Sequence, residues 1–390
     1  MSSAIKIKDI GSIKMCRRIL KEQTTTNPQD VPFYKISTFG GVAENYIPWD
    51  VYNEYKQKYA FPNNGAILIS AAGTIGKTVV YHGEDAYFQD SNIVWVDNDE
   101  QRVSNRYLYY ALKLSNWKTT DGSTIKRLYN DNILDLDIPY NGKDEQEKIA
   151  SVLSTIDDKI STNDKIIETS EKLMHEIYDY WFVQFDFPDE NGRPYKSSGG
   201  EMVYDETIKR EIPKGWGVTT LGELYDIYQP GILSAKQCDP DGEYEVHGSN
   251  GVIGRYHEYN HEDSEIVISC RGDCGNIHRV MPKTWITGNA MVIKPKIETN
   301  QSREYLKNML GTLGIKNIST GSVQGQITRT NLAPIKIVTP SESVLGRYAK
   351  IANPSSELII TTNLENRKLE ELRDWLLPML MNGQVTIKEK

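Results

Sequence analysis

The stretch ILISAAGTIG, residues 67–76, has a second copy in the same chain, IVISCRGDCG at residues 266–275. Five of the ten aligned positions are identical, at a constant offset of 199 residues. The same offset relates Asn132 to Asn331 further along the chain. Because similarity at a fixed period marks one structural unit used more than once, the chain is predicted to contain two copies of one unit.

Each copy is predicted to mix strands and helices. AILIS and EIVIS are short apolar runs that end in a glycine-bearing turn, and TVVYH and MVIKP have the composition of further strands. NRYLYYALKLSNW and SREYLKNMLGTLG show helical periodicity. LDLDIP and APIKIVTP are predicted to be the last strand of each copy. The fold class is therefore α+β, with two pseudo-symmetric domains.

A long helical pattern follows each copy. The first opens with acid at Asp144 and Glu145, which complements the helix dipole, and then repeats at 4-3-4-3 spacing with interruptions at Asn163 and Ser170. The second is predicted to be shorter, because proline at position 354 should stop or kink any helix begun earlier. Two such helices in a closed two-fold repeat are expected to pair antiparallel. The predicted core of the pair is Ile149, Leu153, Ile156, Ile160, Ile167, Met174, Ile177, Trp181, Leu358, Leu369, Leu372 and Leu376.

The predicted layout has five segments. A first domain covers 1–143, a long central helix covers 144–185, and a linker rich in Gly, Pro and Ser covers 186–212. A second domain covers 213–341, and the second long helix with a tail covers 342–390.

The amino-acid composition argues against some classes of protein. The 390 residues carry 45 Lys and Arg against 53 Asp and Glu, a net charge of −8, which argues against a simple basic nucleic-acid coat protein. Much of the acidity lies in residues 141–200, with 7 basic and 13 acidic side chains, so the near-neutral domains can still present a basic face. Four cysteines fit a reducing cytoplasm, and an apolar run long enough to span a membrane is absent.

Two motifs suggest chemistry that the sequence does not support. AAGTIGKT, residues 71–78, fits a relaxed phosphate-binding loop, but a strand-like segment follows where that loop needs a helix. A tight turn that requires positive φ at Gly73 and Gly76 is the favoured interpretation. Cys270, Cys274 and His278 are spaced four apart, yet on a strand and turn they would not converge on a metal, so packed cysteines are expected. No catalytic residue is predicted, and the acidic pair at 157–158 is interpreted as a solvated helix face.

With these features in place, the chain resembles the specificity subunit of type I restriction–modification systems. The similarity is carried by VPFYKISTFGG, AILISAAGTIGK and DEQEKIASVLSTIDDKI in the first half, and by IPKGWGVTTLGEL, VHGSNGVIGRY and TGSVQGQITRTNL in the second. The resemblance implies two target-recognition domains separated by two long antiparallel helices. Each domain would read one half of a bipartite, asymmetric double-stranded DNA target.

The resemblance also implies partners. The helices would set the gap between the half-sites and hold two methyltransferase subunits, which would bind S-adenosylmethionine, and two restriction–translocase subunits could join. The chain itself would carry neither a catalytic residue nor a cofactor. Two alternatives stay open from the residues alone: a two-domain helical scaffold for protein interactions, and a nucleotide-binding protein using the loop at 71–78.

Base-edge readers in such domains are expected to be Arg, Lys, Asn or Gln on exposed loops. The candidates are Lys77, Lys126 and Arg127 in the first domain, and Arg255, Arg271, Gln324, Gln326 and Arg329 in the second.

Overall fold

The computed structural model describes residues 3–117, 127–296, 302–319 and 325–388. The chain divides into two compact units. Unit 1 comprises Met1–Ser161 and Arg367–Lys390, and unit 2 comprises Thr162–Asn366. Two of the candidate DNA-binding residues, Lys126 and Gln324, lie outside the described residues.

Unit 1 contains nine described strands and five α-helical segments, of which the fifth is the end of the second long helix from Arg367 onward. The strands are β1 Ser3–Lys6, β2 Gly11–Met15, β3 Val31–Tyr34, β4 Tyr46–Ile47, β5 Ile67–Ser70, β6 Thr78–Val80, β7 Tyr87–Phe88, β8 Ile93–Asn98 and β9 Asp137–Tyr140. The helices are α1 Trp49–Lys58, α2 Asn105–Lys113, α3 Asn130–Leu134 and the first part of α4 Lys143–Tyr178. The strands form the orders β2-β8-β5-β6, β4-β3-β7 and β1-β9.

Unit 2 repeats these three sheets after an additional hairpin. The strands are β10 Met202–Asp205, β11 Arg210–Pro213, β12 Gly217–Thr220, β13 Tyr225–Tyr228, β14 Tyr244–His247, β15 Val252–Tyr256, β16 Glu265–Ser269, β17 Ile277–Val280, β18 Trp285–Ile286, β19 Ala290–Pro295 and β20 Lys336–Thr339. The helices are α5 Leu221–Leu224, α6 Arg303–Thr312, α7 Arg329–Leu332 and α8 Glu342–Met381, whose last part belongs to unit 1. The orders β13-β19-β16-β17, β15-β14-β18 and β12-β20 match those of unit 1 strand for strand.

The repeat extends to register. Ile67 pairs with Val80 in unit 1, and Ile266 pairs with Arg279 in unit 2, so both partners keep the offset of 199. In each three-stranded sheet one neighbour is antiparallel and the other parallel. The predictions of an α+β fold and of two copies of one unit are therefore confirmed.

The apolar run that opens the repeat is buried on both faces of its sheet. Ile67 and Ile69 join the core under α2, while Leu68 points into a second cluster with Phe33 and Trp95. A strand covered on both sides has no solvent face, which explains why its sequence is continuously apolar rather than alternating.

Residues 186–212, predicted from composition to be a linker, contain the β10–β11 hairpin and pack into unit 2. Phe187 stacks on Tyr195 with ring centroids 4.6 Å apart and on Trp216 at 5.1 Å. These aromatic contacts hold the glycine-rich stretch against the unit.

The two long helices pair antiparallel within each unit. In unit 1, Asn141, two residues before α4, donates to the carbonyl of Met381 at 3.3 Å, and Asp157 of α4 accepts from Arg373 of α8 at 2.9 Å. In unit 2, Asn163 donates to Asn366 at 2.8 Å, and Tyr348 donates to the backbone carbonyl of Met174 at 3.4 Å. Within each unit the partner numbers fall along α8 as they rise along α4, as an antiparallel pair requires.

The prediction that Pro354 shortens the second helix is wrong. The helix α8 runs for 40 residues through Pro354, against 36 for α4. Because Pro354 has no backbone N–H, the carbonyl of Lys350 lacks its usual donor within the helix. Both residues are exposed, so water can donate to that carbonyl instead. The buried face on either side, with Ala352 and Ile359, keeps the helix continuous.

The predicted helix-pair core is placed in three groups. Ile149, Leu153, Ile156, Met174 and Trp181 are buried, and Ile160, Ile167, Ile177, Leu369 and Leu376 are half-buried. Leu358 and Leu372 are exposed at 46% and 44%, so these two assignments are wrong. In each case the next residue is less exposed: Ile359 is buried, and Arg373 is half-buried where it bonds Asp157 of α4.

Candidate nucleic-acid interface

The repeated turn is built around a buried serine in each unit. In unit 1, the Ser70 hydroxyl donates to the carbonyl of Thr74 and accepts from the backbone N–H of Lys77 at 2.9 Å. The backbone N–H of Gly76 donates to the Ser70 carbonyl at 3.0 Å. The serine therefore closes a loop of fixed shape between β5 and β6.

Unit 2 has the same arrangement. The Ser269 hydroxyl donates to the carbonyl of Asp273 at 2.8 Å and accepts from the backbone N–H of Asn276 at 2.9 Å. The backbone N–H of Gly275 donates to the Ser269 carbonyl at 2.9 Å. The two loops share their anchors and differ in the side chains that they present.

The predicted positive φ angles are confirmed. Gly73 and Gly76 have φ of 64° and 77°, values that favour glycine. The strand β6 that follows pairs antiparallel with β5, so residues 71–78 form a hairpin turn. Phosphate-binding loops need a helix at this point, so the geometry contradicts the nucleotide-binding alternative.

A second segment meets each turn through one antiparallel bridge. Ala72 bridges Arg127 in unit 1. The next residue inward, Leu128, is buried and donates its backbone N–H to the carbonyl of Ala71 at 2.8 Å. The Arg127 guanidinium Nη2 donates to the carbonyl of Ser91 at 2.9 Å, which orients the side chain beside the turn.

The bridge in unit 2 joins Arg271 to Gln326, both exposed. The residue after Gln326, Ile327, is fully buried and donates its N–H to the carbonyl of Cys270 at 3.2 Å. Each partner of this bridge lies 199 residues after its counterpart in unit 1.

Further polar side chains surround the unit 2 turn. Ser249 donates to the carbonyl of Arg271 at 2.8 Å, and Asn276 donates to Asn250 at 3.0 Å. Asn289 lies 3.5 Å from the Arg271 guanidinium. Sequence reasoning had not selected these residues individually, although the Gly-Ser-Asn-Gly run at 248–251 is a composition typical of exposed turns. Turn and loops thus form one polar face of hydrogen-bond donors and acceptors.

Two other candidates, Lys77 and Arg255, form hydrogen bonds with backbone carbonyls of their own unit. The Lys77 ammonium donates to the carbonyl of Phe39 at 2.6 Å. The Arg255 guanidinium donates to the carbonyls of Gly242 and Glu243 at 2.7 and 2.8 Å. These charges are committed to loop carbonyls, whereas Arg329 is exposed at the first position of α7.

The cysteines are packed. Cys270 and Cys274 are buried, and burial raises the pKa of the Cys270 thiol to about 11. The Cys274 thiol donates to the carbonyl of Gly325 at 2.8 Å. Among the described residues, no group of three or more His, Cys, Asp or Glu side chains is arranged to hold a metal ion.

The acidic pair at 157–158 is not simply a solvated helix face. Asp157 accepts from the Tyr110 hydroxyl at 2.7 Å and from Arg373 at 2.9 Å, so it ties α2 and α8 to α4 within unit 1. Gln146, which is fully buried, has a similar role: its amide donates to the carbonyls of Arg102 and Asn141. Sequence reasoning missed the structural part played by both residues.

A duplicated α+β unit with an equivalent polar turn in each copy defines a protein with two related recognition domains. The family model described as the type I restriction modification DNA specificity domain matches residues 3–172 and 213–374. The chain therefore belongs to this family, and is a type I restriction–modification specificity subunit with two target-recognition domains.

Similar proteins agree with this assignment. A putative type I restriction enzyme specificity subunit of Haemophilus influenzae is 52% identical over 153 residues, which cover 39% of this chain and 40% of that relative. The MjaIX specificity subunit of Methanocaldococcus jannaschii is 25% identical over 84% of this chain and 79% of its own length. The crystal structure of the S subunit from M. genitalium matches with a TM-score of 0.58 at 18% identity, covering 100% of this chain and 96% of that one, and supports the fold.

Within the described part of the chain, no helix is both long and apolar enough to cross a membrane.

Proposed function

We propose that each unit reads one half of a bipartite double-stranded DNA site through the polar face around its serine-anchored turn. One observation carries this proposal: the same turn and bridge occur twice, with different side chains at the equivalent outward positions. Ala72 and Arg127 stand in unit 1 where Arg271 and Gln326 stand in unit 2. A shared scaffold with different donors and acceptors suits two half-sites of different sequence.

The chemistry is proposed to reside in partner subunits, so that this chain acts without a cofactor of its own. Two methyltransferase subunits, each binding S-adenosylmethionine, would dock on the helices, and two restriction–translocase subunits would join for cleavage in the cytoplasm. Leu173 and Leu372 support a partner present twice, because they lie 199 residues apart and are 49% and 44% exposed. Apolar side chains exposed at equivalent positions suit the same contact made two times.

The helix pair is proposed to set the gap between the half-sites. Because Asn163 of α4 bonds Asn366 of α8, an insertion in one helix alone would break their pairing. One heptad should therefore be added to each helix, after Ser161 and after Arg367. Each helix then lengthens by roughly 10 Å, and the preferred gap should change by about three base pairs, since B-DNA rises about 3.4 Å per base pair.

The test of the main proposal is methylome sequencing of cells with and without this gene. A split, asymmetric methylated motif should be present with the gene and disappear without it. The same methylation pattern in both strains would refute the proposal. For the heptad variant, an unchanged gap in a complex that still methylates DNA would refute the spacing role.

Salt dependence separates this function from a protein-interaction scaffold. A protein that neutralises several DNA phosphates loses affinity steeply as salt rises, with a slope of about −0.9 per phosphate contact on a logarithmic plot. A scaffold without a DNA contact would show no binding to the methylated motif at any salt concentration.

A further inference from the structure

The bridge that joins the turn to the second segment occurs at equivalent positions in the two units. In unit 1 the backbone around Arg127 is held by the hydrogen bond from Leu128 to Ala71, and Leu128 itself is buried. Side chains alternate along extended backbone, so a buried Leu128 sends the neighbouring Arg127 outward. The position is therefore defined by the core and not by the loop sequence.

The same constraint acts in unit 2, where Ile327 is buried and bonds Cys270. Gln326 and its bridge partner Arg271 therefore face outward from the equivalent place. Each unit therefore has an equivalent bridge at its surface, and each bridge carries one pair of side chains.

The side chains of the two bridges, Ala72 with Arg127 and Arg271 with Gln326, suit hydrogen bonds to different bases. An arginine fork matches the two acceptors of guanine in the major groove, and a glutamine amide matches the donor and acceptor of adenine. The Arg127 fork is oriented by the Ser91 carbonyl, which accepts one hydrogen of Nη2, and a guanidinium carries five N–H donors in all. Arg127 also lines a surface hollow of about 360 Å³ together with Ser91 and Tyr129.

We propose that this bridge is the base-reading centre of each unit: Arg127 reads a guanine in one half-site, and Arg271 with Gln326 reads a guanine and an adenine in the other. This inference rests on the proposed function and adds to it the residues and the base types. Lys77 and Arg255 are not part of either bridge, and their charged groups bond the backbone carbonyls of Phe39 and Gly242 instead.

The test exchanges the two equivalent readers, Arg127 of unit 1 and Gln326 of unit 2. The full chain carrying Arg127→Gln, or separately Gln326→Arg, is expressed from its own locus in place of the wild-type gene, and the methylated motif is sequenced. With Arg127→Gln, one G·C pair of one half-site should become A·T while the other half-site is unchanged. With Gln326→Arg, one A·T pair of the other half-site should become G·C.

The size of the effect is measurable by competition between DNA duplexes. Discrimination against the wrong base at one position should be roughly 5- to 150-fold for the wild-type complex, and Arg127→Gln should reverse its direction. Arg127→Lys keeps the charge but loses the fork, so it should weaken the guanine preference without creating an adenine preference. This variant also keeps the test valid if Arg127→Gln does not fold.

Two controls change charge without touching the bridge. Lys58→Gln removes an exposed cation of unit 1 that faces Glu54, and Arg255→Gln releases a structural clamp of unit 2. Both should leave the motif unchanged, and Arg255→Gln should lower the melting temperature.

Each outcome separates the inference from the function on which it rests. A uniform loss of affinity with an unchanged motif in Arg127→Gln would assign Arg127 to a phosphate and overturn the inference alone. Changes in the same half-site for both Arg127→Gln and Gln326→Arg would also overturn it. If the wild-type gene directs no bipartite motif, the proposed function itself fails.

Discussion

The hydrogen-bonded layer between α4 and α8 in unit 2 should behave as a coupled pair under mutation. Asn163 is 1% exposed, and its amide donates to Asn366 and to Glu365, both at 2.8 Å. The Asn366 amide, from a residue 7% exposed, donates in turn to Asp164 at 2.8 Å. The perturbation is the pair of truncations Asn163→Ala and Asn366→Ala, made singly and together.

The loss of stability in each variant depends on which buried polar atoms lose a hydrogen-bond partner. Asn163→Ala leaves the buried Asn366 side-chain oxygen without its donor, which costs about 1–3 kcal/mol. Asn366→Ala leaves the Asn163 amide with its bond to the exposed Glu365, so its cost should be near the lower end of that range. The double variant removes both amides, so neither is left buried without a partner. Its loss in free energy of unfolding should therefore be at least about 1 kcal/mol smaller than the sum of the two single losses.

Thermal unfolding followed by circular dichroism at 222 nm measures these costs. For a unit of this size, 1 kcal/mol corresponds to roughly 2–4 °C in melting temperature, so Asn163→Ala should lower it by about 2–12 °C. Ser161→Ala, an exposed position on the same helix, should stay within about 0.5 kcal/mol of wild type. Single costs that simply add in the double variant would refute the coupled layer.

Three further predictions concern stability. Leu153→Ala, at a fully buried position of unit 1, should cost about 2–5 kcal/mol in guanidinium unfolding, and a cost below about 1 kcal/mol would contradict the assigned core. Gly275 has φ of 86°, and a Cβ at this position would lie 3.0 Å from the Lys316 backbone. Gly275→Ala should therefore destabilise unit 2 by more than about 1 kcal/mol. An unchanged melting temperature would contradict the turn geometry. Burial lowers the pKa of His247 below its usual 6.5, so the unfolded state takes up the proton first and stability should fall as pH drops below about 6.5. His247→Gln should reduce that loss in melting scans between pH 7.5 and 5, whereas substitution of the exposed His82 should not.

The helix pair shows where local pattern is sufficient and where it is not. The apolar spacing of α4 identified Ile149 and Leu153 as buried, because both follow from periodicity along one helix. For α8 the same method selected Leu358, which is exposed, one residue before the buried Ile359. A helix packed against both a second helix and a domain has its facing side selected by partners distant in sequence, including the asparagine layer.

The candidate DNA-contacting residues show the same division. Residue type alone selects Arg127 and Arg255 equally, since both are arginines near glycine-rich turns. Their difference lies in long-range bonds: Arg255 is tied to Gly242 and Glu243, while Arg127 is held beside the bridge by Ser91. Such partners lie 12 to 36 residues away and leave no periodic signal.

The duplication, the α+β class, the glycine turns and the antiparallel helix pair can all be predicted from the amino-acid sequence, because local periodicity or the internal offset of 199 residues indicates each of them. The buried face of α8, the continuous helix through Pro354 and the residues that share one bridge are known only from the folded structure. These features depend on hydrogen bonds and packing between segments far apart in the chain, and such contacts exist only once the backbone has folded.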